Sequence, residues 1–427
     1  MTTTIEVGML GLGTVGSGVV ERLTKAATKI EQTQRLRLHL AAVAVNHLNA
    51  PRKIDLPIGT RLTDSIDAVV TDPHIQIVIE VMGTLKTAER AITTALEHGK
   101  SVVTANKDLV ATAGERLIAL AQRQHCDLFY EASVAGGIPI LRTLTDSYAT
   151  DTIQAVAGII NGTANYILSA MTASGVSYPQ ALHAAQRAGY AESDPPNDVS
   201  GLDATYKLII LSQFAFGQRL TLQQVAPRGI TELTAADCQG AASNGWQIKL
   251  LAQAQRHGRA LYCRVAPVAV ANGRALSRVA GVQNGVAISS QAIGESLYTG
   301  PGAGSTATAN SVLNDVIAAA QRLRLGTRGP AFNRNQTQLT VGRLDQLPQA
   351  YLLFSHLATN QLQRYADNER FSLKPLANQV YQTSTLTRAQ LAPLTASGAI
   401  TAIPIADSIA WPVAAPTTAT VVTNVAI

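Results

Sequence analysis

The stretch that most limits what this chain can fold into lies near its start. Residues 5–10 are a short apolar run, and Gly11-Leu-Gly-Thr-Val-Gly16 follows at once, leading into a helix-like run over 18–23. A G-x-G-x-x-G turn between a strand and a helix suits a phosphate cradle. Gly11 permits the tight turn, Gly13 lets a pyrophosphate approach the backbone, and Gly16 lets the helix pack closely on the strand. Thr14 and Val15 open that helix, whose free N–H groups and positive dipole end favour an anion. Glycines also make ordinary turns, so the flanking pattern has to carry the argument.

The pattern continues. Residues 38–45, 75–81, 101–104 and 127–130 read as strands, and 85–98 and 114–124 as helices. Strands and helices alternating at this spacing predict a doubly wound parallel sheet, a Rossmann-like dinucleotide fold. The second strand of such a fold commonly ends in a carboxylate that bonds the ribose and repels a 2′-phosphate. Here Asn46-His47 stand at that place, with Arg52-Lys53 just beyond. The missing acid favours NADP over NAD. The basic pair either meets a 2′-phosphate or is a solvated loop.

Composition excludes other classes. The chain has 427 residues, enough for two or three domains, and its 46% hydrophobic content supports real cores. Charged residues make up only 15%, and the net charge of +6 comes without basic blocks, which disfavours a nucleic-acid binder. Cys126, Cys238 and Cys263 are scattered, and neither CxxC nor HExxH occurs, so neither a disulfide framework nor a zinc site is expected. The first residues lack a basic n-region and a long apolar segment, so a cytoplasmic protein without a membrane span is expected.

Two lysines stand out. Lys107, in Thr104-Ala-Asn-Lys107, follows a strand and so sits at the carboxyl edge of the sheet, where open α/β folds bind ligands. Position alone also fits an ordinary lysine at a helix start. The second lies in Gly189-Tyr-Ala-Glu192-Ser-Asp194-Pro-Pro-Asn-Asp198-Val-Ser-Gly201-Leu-Asp203-Ala-Thr-Tyr-Lys207. Pro195-Pro196 reads as breaking any helix there, giving an acidic loop before a helix. Asp203 and Lys207 share one helix face and are the only charged residues between 202 and 216. An exposed pair of this kind contributes only about 0.3–0.5 kcal/mol. Its apolar neighbours point instead to a buried or cleft-lining lysine able to exchange a proton.

These motifs, with Glu131-Ala-Ser-Val-Ala-Gly-Gly-Ile-Pro-Ile140, Gly158-Ile-Ile-Asn-Gly-Thr-Ala-Asn-Tyr166 and Gly300-Pro-Gly-Ala-Gly304, resemble homoserine dehydrogenase over residues 5–340. The resemblance implies reversible NAD(P)H-dependent reduction of L-aspartate 4-semialdehyde to L-homoserine. It implies two catalytic lysines: Lys207 as proton donor in reduction and base in oxidation, and Lys107 between nicotinamide and substrate, serving binding and a share of proton transfer. It implies Glu192 and Asp203 as acids for the substrate ammonium or its water. Asn161, Gly162 and Thr163 would form the pocket wall. Glu131, Val134, Gly136 and Ile138 would hold a monovalent cation, sodium, through backbone carbonyls. Gly302 would face cofactor or substrate, although its segment also reads as a plain loop before a helix over 306–322.

Four parts are expected. Residues 1–150 form the dinucleotide domain, 151–300 a mixed α/β substrate and dimerisation domain with strands over 152–160 and 263–268, and 301–340 a return segment. Residues 345–427 form a small α+β domain like the ACT domains of many members, with strands over 350–355 and 400–405. Asn368-Glu-Arg-Phe371 replaces the usual Asp-Arg-Pro-Gly turn. The tail therefore reads as a degenerate ACT-like unit used for packing, without strong inhibition by threonine. A homodimer or larger homo-oligomer is expected. The competing readings are another amino-acid dehydrogenase of the same plan and a non-catalytic dinucleotide sensor, which needs no lysine on an apolar helix.

Overall fold

The computed structural model describes residues 2–52, 54–192, 195–355, 357–396 and 398–409. Lys53, Asp194 and the last part of the expected tail unit lie outside them. Three sheets organise the rest. The first uses β1 (Thr3–Leu10), β2 (Leu36–Ala44), β3 (Arg61–Thr63), β4 (Ile77–Glu80), β5 (Ser101–Thr104) and β6 (Leu128–Phe129). Their order is β3-β2-β1-β4-β5-β6, and every pairing is parallel. The short apolar runs make this possible: all four residues of β4 and of β5 are buried, as in a sheet covered on both faces. The chain reverses order between β1 and β4, which opens a crevice at the carboxyl ends of the strands.

The glycine turn sits in that crevice. Gly11 has φ +99°, and a Cβ there would lie 2.8 Å from the Val81 carbonyl oxygen. At Gly16 a Cβ would fall 2.3 Å from the Gly11 carbonyl oxygen. Both positions need glycine for packing. Gly13 differs, since a Cβ would meet nothing within 4 Å.

The second sheet contains β7 (Ile153–Ile159), β8 (Trp246–His257), β9 (Ala260–Ala271), β10 (Gln283–Ser290), β11 (Gly294–Pro301) and β12 (Thr340–Arg343). Its order is β11-β10-β7-β8-β9-β12, antiparallel except for the β9–β12 pair. Helices Gly162–Ser174, Leu202–Phe216 and Ala235–Ser243 pack on β8. Helix Ser305–Leu325 then returns to lie against helix Thr14–Gln34 of the first sheet.

The third sheet uses β13 (Tyr351–Ser355), β14 (Leu373–Pro375), β15 (Val380–Thr383) and β16 (Ile400–Pro404) in the order β14-β15-β13-β16, all antiparallel. With helices Thr359–Asn368 and Arg388–Ala396 it forms a complete β-α-β-β-α-β unit. What departs from the expected pattern is the turn sequence; the topology is whole. Ile405 pairs in parallel with Ala269, so the unit docks along β9.

Two local expectations are corrected. The helix expected over 114–124 begins at Lys107 and runs to Arg123, because the Asn106 side chain caps it by accepting the Leu109 N–H at 3.2 Å. The double proline does not exclude a helix either. A short one, Pro196–Val199, starts at Pro196, where a missing N–H does no harm. Among the described residues no helix is long and apolar enough to cross a membrane.

Candidate active site

Beside the glycine turn lies a groove of about 390 Å³, lined by Gly11, Gly13, Asn46, Arg52, Asp64 and Thr84 among others. Gly13 is its open position. Thr14 and Val15 form the first turn of helix Thr14–Gln34, whose N-cap has no side-chain bond. Its first N–H groups therefore remain available to an anion. Asn46 lines the groove as expected, and Arg52 donates to the His47 carbonyl at 2.8 Å. Asp64, which the sequence reading passed over, brings a carboxylate to the same wall.

The far wall leads to Lys107. Glu80, at the end of β4, is fully buried. It accepts the Thr104 hydroxyl at 2.6 Å and the Met82 N–H at 2.8 Å. Thr104 in turn accepts the Asn106 N–H at 3.0 Å, and the Asn106 amide donates to the Thr84 carbonyl at 2.8 Å. Burial raises the Glu80 pKa against these bonds. This lattice fixes the first residue of helix Lys107–Arg123 beside the groove.

Helix Leu202–Phe216 packs against that helix and brings the other half of the site. Gly201, its N-cap, has φ +84°, and the two charged residues of the helix point to one place. The Lys207 Nζ donates to Asp203 Oδ2 at 2.7 Å and to the Ile160 carbonyl at 2.8 Å. Lys107 Nζ lies 3.3 Å from Asp203 Oδ1 and 3.3 Å from Asp108 Oδ1. One carboxylate thus holds both lysines, one from each half of the molecule. The side chain of Lys207 is only 12% exposed and that of Asp203 only 8%.

Asn161 ties in a second acid. Its amide donates to Asp203 Oδ2 at 2.9 Å and to Asp198 Oδ1 at 2.7 Å, while its oxygen accepts the Ala164 N–H. Gly162 and Thr163 start the helix that Asn161 caps, and the Thr163 hydroxyl donates to the Tyr190 carbonyl at 2.6 Å. Asp198 was visible in the acidic loop, but nothing in the sequence separated it from its neighbours. Glu192, by contrast, is exposed, and its carbonyl accepts from Gln186. Among the described residues no bond joins it to Asp203 or Lys207.

The charges reinforce one another. Burial opposes ionisation of Asp203, yet Lys207 and Lys107 outweigh it and hold its pKa below the ordinary value. Burial pulls Lys107 down, but Asp203 and Asp108 outweigh it and leave its pKa raised. Asp198 is raised by burial and then by Asp203, against its bond from Asn161.

The remaining expected positions gather elsewhere. Glu131 is buried, and its carboxylate accepts the N–H groups of Leu141 and Arg142 at 2.8 Å each. Burial and nearby Asp315 push its pKa up to about 8. Val134, Gly136 and Ile138 follow in a bend with φ +53° at Ala135 and +45° at Gly136. The Gly136 carbonyl accepts the Ser311 hydroxyl at 2.7 Å. Gly302 packs here too: its carbonyl oxygen would lie 2.4 Å from a Cβ at Gly136, and its own Cβ would strike Asn284. Gly302 is not among the residues that line the groove at Gly11.

Comparison with known proteins points to one family. The family of homoserine dehydrogenase NAD-binding domains matches residues 11–131, and the homoserine dehydrogenase family matches residues 139–317. A homoserine dehydrogenase from Bacillus subtilis is 41% identical over 328 residues, covering 77% of this chain and 76% of that one. One from Mycobacterium leprae is 42% identical over 332 residues, covering 77% and 75%. The crystal structure of a homoserine dehydrogenase from Thiobacillus denitrificans superposes with a TM-score of 0.87 at 33% identity, covering 94% of this chain and 98% of that one.

The shared carboxylate sets a pH signature. The Asp203 pKa is lower in the folded chain than in the unfolded one, so its stabilisation is fully present above about pH 4 and is lost as pH falls through the folded value. Asp203→Asn leaves two ammonium groups without their partner, so it should cost about 3–5 kcal/mol at pH 7. The gap between wild type and variant should narrow below about pH 4. Urea denaturation across pH measures both, and a gap that widens on acidification contradicts the pairing.

Proposed function

This chain belongs to the homoserine dehydrogenase family of NAD(P)-dependent oxidoreductases, which interconvert L-aspartate 4-semialdehyde and L-homoserine, and we propose that Lys207 exchanges the proton with the reacting oxygen. The observation that carries this is its anchoring. An ammonium has three donors, and Ile160 and Asp203 take two of them. The third is left for a substrate oxygen. As an aldehyde is reduced, negative charge grows on that oxygen. A fixed ammonium stabilises the charge and then gives up a proton. In the opposite direction the same amine takes the proton from the alcohol.

Lys107 has a different part on this reading. Its two carboxylate neighbours, Asp203 and Asp108 at 3.3 Å each, hold its positive charge beside Lys207, which suits electrostatic binding of substrate. Asp203 orients both amines. Asp198 and Glu192 complement the ammonium group of an amino-acid substrate, Asp198 through its link to Asn161 and Glu192 from the rim of the same loop. Asn161, Gly162 and Thr163 form the wall between them. Residues 1–150 hold the nucleotide, 151–300 the substrate and the subunit contact, 301–340 the return segment, and 345–427 an ACT-like unit.

The groove fits a dinucleotide, because Gly13 stands open on it and the adjoining helix start leaves its N–H groups free. A bound nicotinamide supplies or accepts the hydride. Asn46 in place of an acid, with Arg52 on the same wall, supports NADP, whereas Asp64 works against it. Gly302 serves to seat the Gly136 bend. That bend offers hard carbonyl oxygens at Glu131, Val134, Gly136 and Ile138, a donor type suited to sodium or another alkali cation. The carbonyls of Glu131, Gly136 and Ile138 already accept the Val134 N–H, the Ser311 hydroxyl and the Ile140 N–H, and each keeps a second lone pair. The half-buried Ala155, Ala157 and Ala287 on the open face of the second sheet support self-association through that face.

Three outcomes follow. Lys207→Met should lower kcat by about 10²–10⁴-fold while leaving cofactor affinity nearly unchanged; turnover near the wild-type rate contradicts the assignment. An assay with NADPH and NADH, each in sodium, potassium and tetramethylammonium chloride, should give higher kcat/KM with NADPH and lower rates in the organic salt. Equal values throughout would remove both proposals. Sedimentation should show a dimer or larger species, and a monomer at micromolar concentration contradicts the shared face.

A further inference from the structure

Where the third sheet docks against the second lies a half-open cavity of about 560 Å³. Its floor is β9 at Arg264, one wall is β16, and its rim is the helix that begins at Arg388. A space of this size suits a small metabolite. It holds none of the residues of the Lys107–Asp203–Lys207 cluster.

Arg264 makes the cavity unusual. It is 4% exposed, and its described bonds all go to neutral amides. Nε and Nη2 donate to Gln253 Oε1 at 3.2 and 2.6 Å, and Nη1 donates to Gln349 Oε1 at 2.7 Å. Among the described residues no carboxylate forms an ion pair with it. Buried arginine normally has a carboxylate or phosphate beside it, because an isolated buried charge is costly. The two acids that line the cavity do not fill that place. Asp345 is held by Arg343 through two bonds, at 2.9 and 2.7 Å. Glu232 is 81% exposed and lies 4.0 Å from Arg228. Arg228 and the exposed Arg388 add two further cations to the lining. Burial drives the Arg264 pKa down to about 10, against weaker attraction from Tyr351 and Asp345, neither of which bonds to it among the described residues.

We propose that this cavity binds the oxyanion group, carboxylate or phosphoryl, of a small metabolite, with Arg264 as its anchor and Arg228 and Arg388 at its entrance. A guanidinium has five N–H donors, and the three described bonds leave two for the ligand. Because β9 supplies the floor and β16 a wall, the bound anion joins the tail unit to the second sheet.

The test is calorimetric titration of the full chain with inorganic phosphate and, separately, malonate, with chloride holding ionic strength constant. The wild type should bind at least one of them saturably and melt at a higher temperature in its presence. Binding of phosphate alone assigns a phosphoryl source, malonate alone a carboxylate source, and both the shared chemistry. Arg264→Met should abolish binding and the thermal shift while turnover persists. Should that variant fail to fold, Arg388→Gln at the rim carries the test, with affinity expected to fall about fivefold. No saturable binding to the wild type overturns the proposal. So does binding that is unchanged in every folded variant.

Discussion

The site depends on one carboxylate with two ammonium partners. Asp203 reaches Lys207 four residues along its own helix and Lys107 at the start of a helix from the first sheet. Without that bridge two cations would face each other in a partly buried space. With it they are held at fixed positions, and the two halves of the molecule are drawn together at the proposed site. Desolvation makes the arrangement strong: removing water penalises each charge alone but strengthens their mutual attraction.

Support for the bridge comes from polar groups arranged around it. Glu80, Thr104 and Asn106 fix the backbone that presents Lys107, and Asn161 steadies the far side of Asp203. The Glu80–Thr104 and Asn161–Asp203 bonds each join residues from separate elements. The parallel sheet places the Thr104 segment, and the antiparallel sheet places Asn161 at the end of β7. Neither sheet alone builds the site, so the fold of the whole chain is needed to assemble four side chains.

Much of this was legible because its signals are local. The glycine turn carries its own reasons, in a positive φ at Gly11 and a close approach at Gly16. Asp203 and Lys207 stood out because two charges on an otherwise apolar helix need an explanation. Other features depend on contacts between distant residues. Asp198 is set apart from Glu192 by partial burial and by the Asn161 amide that meets its carboxylate, both products of distant packing. Gly302 is expected to face cofactor or substrate or to lie in a plain loop before a helix, and its packing against Asn284 and Gly136 comes from residues far away in the chain. The strands β8, β10 and β11 escaped notice because their pattern of small apolar and polar residues lacks the runs that mark the first sheet. The helix expected over 114–124 starts earlier, at Lys107, because its cap depends on the Asn106 side chain accepting the Leu109 N–H, which residue types alone do not reveal.

The most direct test of the account is a crystal structure of the chain with oxidised cofactor and L-homoserine bound together. The account predicts that the Lys207 amine lies within about 3.2 Å of the substrate hydroxyl while it keeps its bonds to Asp203 and Ile160. A substrate hydroxyl bonded to Lys107 or to water, with the Lys207 amine turned away from it, would contradict the account.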